Sequence, residues 1–76
     1  MEVPPGAAAV EAPFTAAVWR LDVKAGDRVR AGDPLLAVEA MKMETVLAAP
    51  RDGEVLAVAA AVGDQVQPGT PLVVIV

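Results

Sequence analysis

The residue best placed to do chemistry is Lys42, which stands between Met41 and Met43 in the run Glu-Ala-Met-Lys-Met-Glu-Thr over residues 39–45. The chain contains no Cys and no His, so it lacks thiol nucleophiles, disulfides, most zinc sites and the commonest general base. A lysine without such neighbours is poorly equipped to catalyse a reaction. It is well suited to be a handle on which another enzyme acts.

An internal repeat places this run at the centre of the chain. Nine of 27 positions are identical when residues 12–38 are compared with residues 49–75. A repeat of this length encodes one supersecondary unit used twice. We therefore predict a pseudo-twofold domain, with residues 39–48 crossing between its halves. The identical positions of the first unit are Ala12, Pro13, Val18, Gly26, Asp27, Val29, Gly32, Pro34 and Leu35.

Size and charge exclude several classes of function. A chain of 76 residues forms one small domain, in which a deep substrate cleft is not expected. Six basic and ten acidic residues give a net charge of -4, which argues against binding nucleic acid. No apolar stretch approaches the ~18 to 20 residues of a membrane span, and residues 1–6 lack the pattern of a secretory signal. A cytoplasmic location is expected, with an organelle matrix as the alternative.

Short strands separated by Gly and Pro turns are predicted along most of the chain. Residues 1–10 are predicted to be a flexible lead-in and residues 11–76 the folded domain. Over residues 18–23 the alternation predicts a strand with Trp19 and Leu21 facing the core. Truncation of a buried Trp19 to Ala would then cost about 3 to 5 kcal/mol.

The regular spacing of these strands predicts an all-β sandwich or flattened barrel with about four strands in each half. Residues 55–62 could form a helix in isolation, since alanine is the best helix former, but their repeat partner favours a strand. The Gly-Asp pairs at 26–27 and 63–64 are predicted turns, in which glycine supplies a positive φ and the aspartate caps the turn.

The segments 35–39 and 45–49 are predicted to pair as a hairpin whose loop contains Met41 and Lys42, with Met43 either in the loop or just beyond it. Strand alternation would put Lys42 on the opposite face from the two methionines. The flexible, polarizable thioethers could then contact the end of the barrel or a partner's surface. From these residues alone, a solvated surface lysine is the more common interpretation.

The run over residues 39–45 resembles the biotinylation sequence of the biotin carboxyl carrier family, whose hallmark is a lysine between two methionines preceded by alanine. The similarity extends from about Val10 to Val76 and includes the Ala-Pro pairs and the Gly-Asp turns of both units. It implies a flattened barrel, the barrel-sandwich hybrid, of two four-stranded antiparallel sheets whose chain ends lie close together. It also implies that a biotin protein ligase acylates Lys42, with Met41 and Met43 as flanking recognition residues.

By the same resemblance, the domain would be a non-catalytic carrier that moves a carboxyl group on covalent biotin between biotin carboxylase and carboxyltransferase sites. It would be of the thumbless type, because no inserted segment follows Val18-Trp19-Arg20, and similar to urea and acyl-CoA carboxylases. Two roles stay open for Glu39 and Glu44: recognition by the ligase, or a solvated or strand-pairing role.

One departure from the family and three other functions remain. Family members commonly carry a glycine-bearing turn near the start, where this chain has Pro-Phe-Thr-Ala over residues 13–16.

A lipoyl carrier shares the duplicated architecture, but its lysine typically follows Asp and precedes Ala. A barrel-sandwich interaction module is disfavoured, because it would need long flanking helices that this sequence does not contain. A free-standing enzyme is disfavoured because the aspartates fall mostly in turns.

Overall fold

The computed structural model describes residues 3–76, and every regular element in that range is a β-strand. No helix within residues 3–76 is long and apolar enough to cross a membrane. The predicted strand at residues 55–62 is confirmed over its first half. The strands are β1 Ala8–Glu11, β2 Ala16–Leu21, β3 Arg28–Val29, β4 Pro34–Ala40, β5 Met43–Ala48, β6 Gly53–Val58, β7 Gln65–Val66 and β8 Pro71–Ile75.

The strands form two four-stranded antiparallel sheets, as predicted. One sheet has the order β1-β8-β6-β3 and the other β5-β4-β2-β7. The first and last strands belong to the same sheet, where Ala8 of β1 lies opposite Ile75 of β8. The second sheet contains the β4–β5 hairpin. The fold is therefore the flattened barrel that the sequence predicts, with overall dimensions of 33 × 22 × 16 Å.

The two repeat units are interlocked by equivalent hydrogen bonds. In one place the Gly63 N–H donates to the Val18 carbonyl over 2.7 Å, and the Val18 N–H donates to the Asp64 carbonyl over 2.9 Å. In the equivalent place Val55 exchanges bonds of 2.8 Å with the backbone of residues 26 and 27. The turn of each unit thus provides hydrogen-bond partners for the backbone of an inner strand of the other unit. This confirms the predicted pseudo-twofold arrangement.

The Gly-Asp turns have the predicted chemistry. Gly26 and Gly63 adopt φ values of 96° and 98°, a region that glycine enters without a steric penalty. An Asp27 carboxylate oxygen accepts the Lys24 backbone N–H over 3.0 Å, and Asp64 makes the equivalent 2.9 Å bond. These aspartates are therefore turn caps and are not free for catalysis.

The core lies between the sheets and is formed mainly by β4 and β8. These central strands supply long, fully buried side chains in equivalent positions, and residues 3–76 contain no buried polar or charged side chain. Burial of this apolar surface provides most of the stability of so small a domain. The largest buried residues include Leu35, Leu36, Val38, Leu72, Val73 and Ile75.

The predicted burial of Trp19 is wrong, because 42% of its surface is exposed. Trp19 is the extra residue of a β-bulge. Val18 pairs with Val38 and Arg20 pairs with Ala37, so Trp19 and Arg20 together oppose one residue of β4. A bulge interrupts the alternation of faces. Consequently Val18 is buried while Trp19 lies outside the core, and Leu21 returns to it partly buried.

The predicted lead-in over residues 1–10 extends too far. Strand β1 begins at Ala8, and Val10 packs against the core. The Gly6 carbonyl accepts a 2.6 Å hydrogen bond from the Arg51 guanidinium, which also donates to the Ile75 carbonyl. Alanine and valine in this stretch therefore pair with β8 as an ordered strand, and the first two positions of the lead-in lie outside the described residues.

The unusual first turn is accommodated without glycine. Ala16 opens β2 and is buried, and no residue from 13 to 16 has a positive φ. Gly53, which is equivalent to Ala16 in the second unit, is constrained by packing instead. A Cβ built on Gly53 would contact the Val76 carbonyl and approach Ile75 Cγ2 to 2.7 Å. The glycine that the second unit requires is therefore not needed in the first.

Candidate modification site on the β4–β5 hairpin

The hairpin that carries the central lysine closes with a turn of only two residues. Ala40 pairs with Met43, which leaves Met41 and Lys42 as the whole turn. Both turn residues have positive φ values, 50° and 66° respectively. Positive φ at both central residues is the geometry of the type I′ hairpin turn, whose twist matches that of the flanking strands. The turn therefore projects directly from the end of the sheet.

The residue types are unusual for this turn. Type I′ turns favour Asn-Gly or Gly-Gly, because side chains disfavour the left-handed region. Neither methionine nor lysine relieves that cost, which is of the order of 1 kcal/mol per residue. The surrounding sheet must therefore impose the conformation, and residues held in this way cluster at functional sites.

This turn geometry corrects one interpretation from the sequence. Strand alternation cannot place Lys42 relative to Met41, because the backbone at both residues is left-handed and not extended. Met43 is the first residue of β5 and not part of the loop. The sequence contained no Asn or Gly signal that would have revealed a two-residue turn.

The hairpin tip is accessible from solvent. Met41 is 96% exposed, Met43 is 70% exposed, and Lys42 is also exposed. Within residues 3–76 no carboxylate forms an ion pair with Lys42. The methionines do not pack against the end of the barrel, so of the two predicted contacts only a partner's surface remains for them. The amine is free to be approached by a macromolecule.

Below the tip, the outer face of the hairpin carries charged groups. Glu39 and Glu44 are directly opposite each other on β4 and β5, an arrangement of like charges that is mildly destabilising. Arg20 of the neighbouring β2 lies 3.6 Å from Glu44 and 3.0 Å from Asp22. The arginine thereby links the hairpin, just below its tip, to the adjacent strand β2.

Two surface depressions within residues 3–76 are not lined by Lys42. A depression of about 400 Å³ lies on the β3–β6 edge, and none of its lining residues belongs to the hairpin tip. The described residues contain no cluster of three or more potential metal ligands. A covalent bond is therefore the means of attachment that this exposed amine offers. The depression is lined by Arg28, Val29, Arg30, Asp33, Asp52 and Gly53.

The chemistry available at this site is that of an acyl acceptor. An exposed primary amine can form an amide once it loses its proton. The chain has no His or Cys to remove that proton, so the base and the activated acyl group must come from an approaching enzyme. The site fits a covalently attached prosthetic group and does not fit a cofactor held in a pocket.

A protein-family model described as "Biotin-requiring enzyme" matches residues 1–75. The chain is 47% identical over 62 residues to the mitochondrial methylcrotonoyl-CoA carboxylase subunit alpha of Rattus norvegicus, covering 82% of this chain and 9% of that protein. It is 43% identical to the biotin carboxyl carrier protein of acetyl-CoA carboxylase from Solanum lycopersicum, covering 83% of this chain and 90% of that protein.

Solved structures give the same result for the fold. The urea carboxylase of Kluyveromyces lactis superposes with a TM-score of 0.91 at 36% identity, covering 100% of this chain and 7% of that one. A single-chain, multi-domain long-chain acyl-CoA carboxylase gives a TM-score of 0.88 at 36% identity, covering 97% and 8%. The chain thus spans less than a tenth of these multi-domain proteins.

Proposed function

The chain belongs to the family of biotin-requiring enzymes as a biotin carrier domain of biotin-dependent carboxylases, and on that premise we propose that Lys42 carries covalently attached biotin. The observation that supports this most strongly is the two-residue turn, which exposes the lysine and holds it in a left-handed conformation at the end of a sheet. A solvated surface lysine would not require such a turn.

Attachment would proceed by amide formation on this chain. The Lys42 amine attacks the carbonyl carbon of a biotinyl adenylate that a biotin protein ligase makes from biotin and ATP. The new C–N bond forms as the bond to AMP breaks, and the amine's proton passes to a base of the ligase. The domain contributes an accessible amine in a fixed place and is the substrate of the reaction.

Once attached, biotin would supply a ureido nitrogen that accepts a carboxyl group at a biotin carboxylase site and releases it at a carboxyltransferase site. The chain's own contribution is positional. The compact body keeps the modified Lys42 close to both sites, which raises its local concentration without tight binding at either. We propose that the domain itself is a non-catalytic carrier, because biotin and the two enzyme sites would supply the chemistry.

We further propose that Met41 and Met43 are contacts for the ligase. Both side chains are largely exposed, although large apolar side chains normally gain stability by burial. The flexible thioether adapts to irregular apolar surfaces. Two such side chains beside the amine could fill an apolar site on the ligase while Lys42 enters its active site.

The parent protein is proposed to be a multi-domain carboxylase of the urea or acyl-CoA type. This rests on the similarity to urea carboxylase and to long-chain acyl-CoA carboxylase over nearly the full length of this chain. The partners of the carrier would then be the carboxylase and carboxyltransferase domains of the same polypeptide.

Intact-mass measurement after incubation with biotin, ATP and a biotin protein ligase tests the attachment. The chain contains only two lysines, Lys24 and Lys42, which provides a matched control. The parent and Lys24→Arg should each gain one biotinyl group, whereas Lys42→Arg should gain none. A gain in Lys42→Arg, or none in the parent under conditions that modify a control carrier, would contradict the proposal.

The alternative function is a lipoyl carrier, because this fold and an exposed hairpin lysine serve that role as well. The similarity to the biotin carboxyl carrier protein of Solanum lycopersicum favours biotin. A parallel incubation with lipoate, ATP and a lipoate ligase separates the two. We expect no mass gain in that reaction, and a gain with lipoate alone would establish the alternative.

A further inference from the structure

The outer face of the hairpin-bearing sheet contains an exposed cluster that attachment of biotin does not explain. Trp19, the only tryptophan of the chain, is 42% exposed. The Arg20 guanidinium carbon lies 5.5 Å from the centroid of its ring, within the range of a cation–π interaction. The two bulge residues thus form a partly ordered aromatic and cationic surface on β2.

This surface continues onto the hairpin. Arg20 forms the 3.6 Å ion pair with Glu44 of β5. Val46 lies two residues further along β5, on the same face as Glu44, and is 48% exposed. We call the surface formed by Trp19, Arg20, Glu44 and Val46 the Trp19 face.

The internal repeat shows that the Trp19 face is not a requirement of the fold. The equivalent bulge residue in the other sheet is Leu56, which is 44% exposed, and the residue equivalent to Arg20 is Ala57. The same backbone therefore forms with a small aliphatic surface on the sheet that lacks the hairpin. At the two equivalent bulges, a tryptophan and an arginine, residue types enriched at binding hot spots, occur only in the sheet that presents Lys42.

The short reach of an unmodified lysine identifies the partner. Its four-carbon stem extends the amine only about 6 Å from the backbone, so an enzyme that acylates Lys42 must contact the body of the domain. A standard interface of about 800 Å² per partner has a radius of about 16 Å. Val46 follows Lys42 by four residues, or about 13 Å of extended strand. Arg20 is aligned with Val46 through Ala37 of β4, two strand spacings or about 10 Å away across the sheet. The bulge therefore lies about 16 Å from the turn, at the edge of the area such an enzyme would cover.

Enzymes that act later do not have this constraint. After modification, the reacting group lies at the end of a long arm, and the catalytic site can reach it without covering the sheet. We propose that the Trp19 face is the surface on which the biotin protein ligase docks, with Trp19 as the main apolar contact. This inference rests on the proposed function, because it assumes that a ligase acylates Lys42.

Steady-state biotinylation kinetics of matched variants test the docking surface. Trp19→Ala should lower kcat/KM by about 10-fold or more, mainly through a higher KM, as expected for loss of a binding contact. Leu56→Ala removes a side chain of similar exposure from the equivalent bulge and should change kcat/KM by less than about twofold. Thermal unfolding of both variants confirms that each remains folded at the assay temperature.

A second variant guards against misfolding. Trp19→Leu places in the first unit the residue that occupies the equivalent position of the second unit, so the bulge should still form. We expect the kcat/KM of this variant to be nearly as low as that of Trp19→Ala. Trp19→Phe retains an aromatic ring and should restore much of the lost kcat/KM.

The outcomes separate the two proposals. If the parent is biotinylated and Trp19→Ala matches Leu56→Ala within twofold, the docking proposal is wrong and the carrier function stands. If the parent is not biotinylated, both are wrong. A defect of Trp19→Ala that appears only in carboxyl transfer by the assembled carboxylase would also overturn the docking proposal, because it would assign the face to a carboxylase domain.

Discussion

Trp19 and Leu56 occupy the same position in the two repeat units, and each is the extra residue of a β-bulge. The register shift lies between Val18 and Arg20 in β2 and between Val55 and Ala57 in β6. The exposed fractions of Trp19 and Leu56 are 42% and 44%. The duplication therefore preserved a local distortion of the strand, and this distortion determines which residues reach the core.

The bulge leads to a stability prediction opposite to that from alternation alone. Trp19→Ala should lower the free energy of unfolding by only about 1 kcal/mol, because the ring is half exposed and its loss leaves no internal cavity. Val18→Ala should cost about 2 to 3 kcal/mol, since Val18 is 1% exposed and its methyl groups pack in the core. Urea unfolding of both variants measures the difference.

The equivalent pair in the second unit provides the control for this experiment. Leu56→Ala and Val55→Ala should show the same order of destabilisation as Trp19→Ala and Val18→Ala. If Trp19→Ala were the more destabilising member of its pair, the exposed position of the tryptophan would be contradicted.

The strained turn predicts a gain in stability on substitution. Met41→Gly should raise the free energy of unfolding by about 1 kcal/mol, because glycine adopts a φ of 50° without the steric cost that methionine incurs. Thermal unfolding at fixed pH measures the change. Met43→Gly is the control, and should destabilise because Met43 lies in β5, where glycine is unfavourable.

The close packing around Gly53 predicts a loss of stability on substitution. Gly53→Ala should cost about 1 to 3 kcal/mol, since its new Cβ would press against Ile75 Cγ2 and the Val76 carbonyl. Chemical denaturation gives the value. An alanine is ordinarily more stable than glycine within a strand by 0.5 to 1 kcal/mol, so a more stable variant would show that the contact does not exist in solution.

Asp27 predicts a pH dependence of stability. Hydrogen bonds from the Lys24 backbone N–H and from its ammonium group lower the pKa of Asp27 below the ordinary value of 3.8. The ionised form therefore stabilises the fold fully above about pH 4. This contribution is lost as the pH falls below 3.8 through the lowered pKa, because the unfolded chain then binds the proton first.

Unfolding curves between pH 2 and 6 would measure this effect, and we expect Asp27→Asn to remove part of the acid sensitivity. Lys24→Met is the matched control. It removes the ammonium group but keeps the backbone hydrogen bond, which is the larger cause of the lowered pKa, so most of the acid sensitivity should remain. Identical pH profiles for the parent and Asp27→Asn would contradict the assigned role.

The sequence predicts the architecture well because the internal repeat shows that the same strands and turns occur twice. The Gly-Asp turns recur in both units, and their glycines and aspartates have local chemistry that does not depend on distant residues. The position of Lys42 between the units was enough to place it on a hairpin. Its attachment to biotin and the cytoplasmic location of the parent stay predictions.

The features that sequence analysis missed depend on backbone geometry imposed by neighbouring strands. No residue type marks Trp19 as a bulge position, so alternation alone assigns it to the core face. No Asn or Gly marks the two-residue turn at Met41 and Lys42, because the sheet enforces a conformation that these residues do not favour. Strand β1 was missed because its partner, β8, lies at the other end of the chain.

Tandem mass spectrometry of a tryptic digest after biotinylation tests the attachment to Lys42 most directly. Trypsin does not cleave after an acylated lysine, so the modified protein should yield one uncut peptide over residues 31–51 that carries the biotinyl group at Lys42. The peptide that ends at Lys24 should stay unmodified. A biotinyl group found at Lys24 or at the N-terminus, with cleavage after Lys42, would contradict the account.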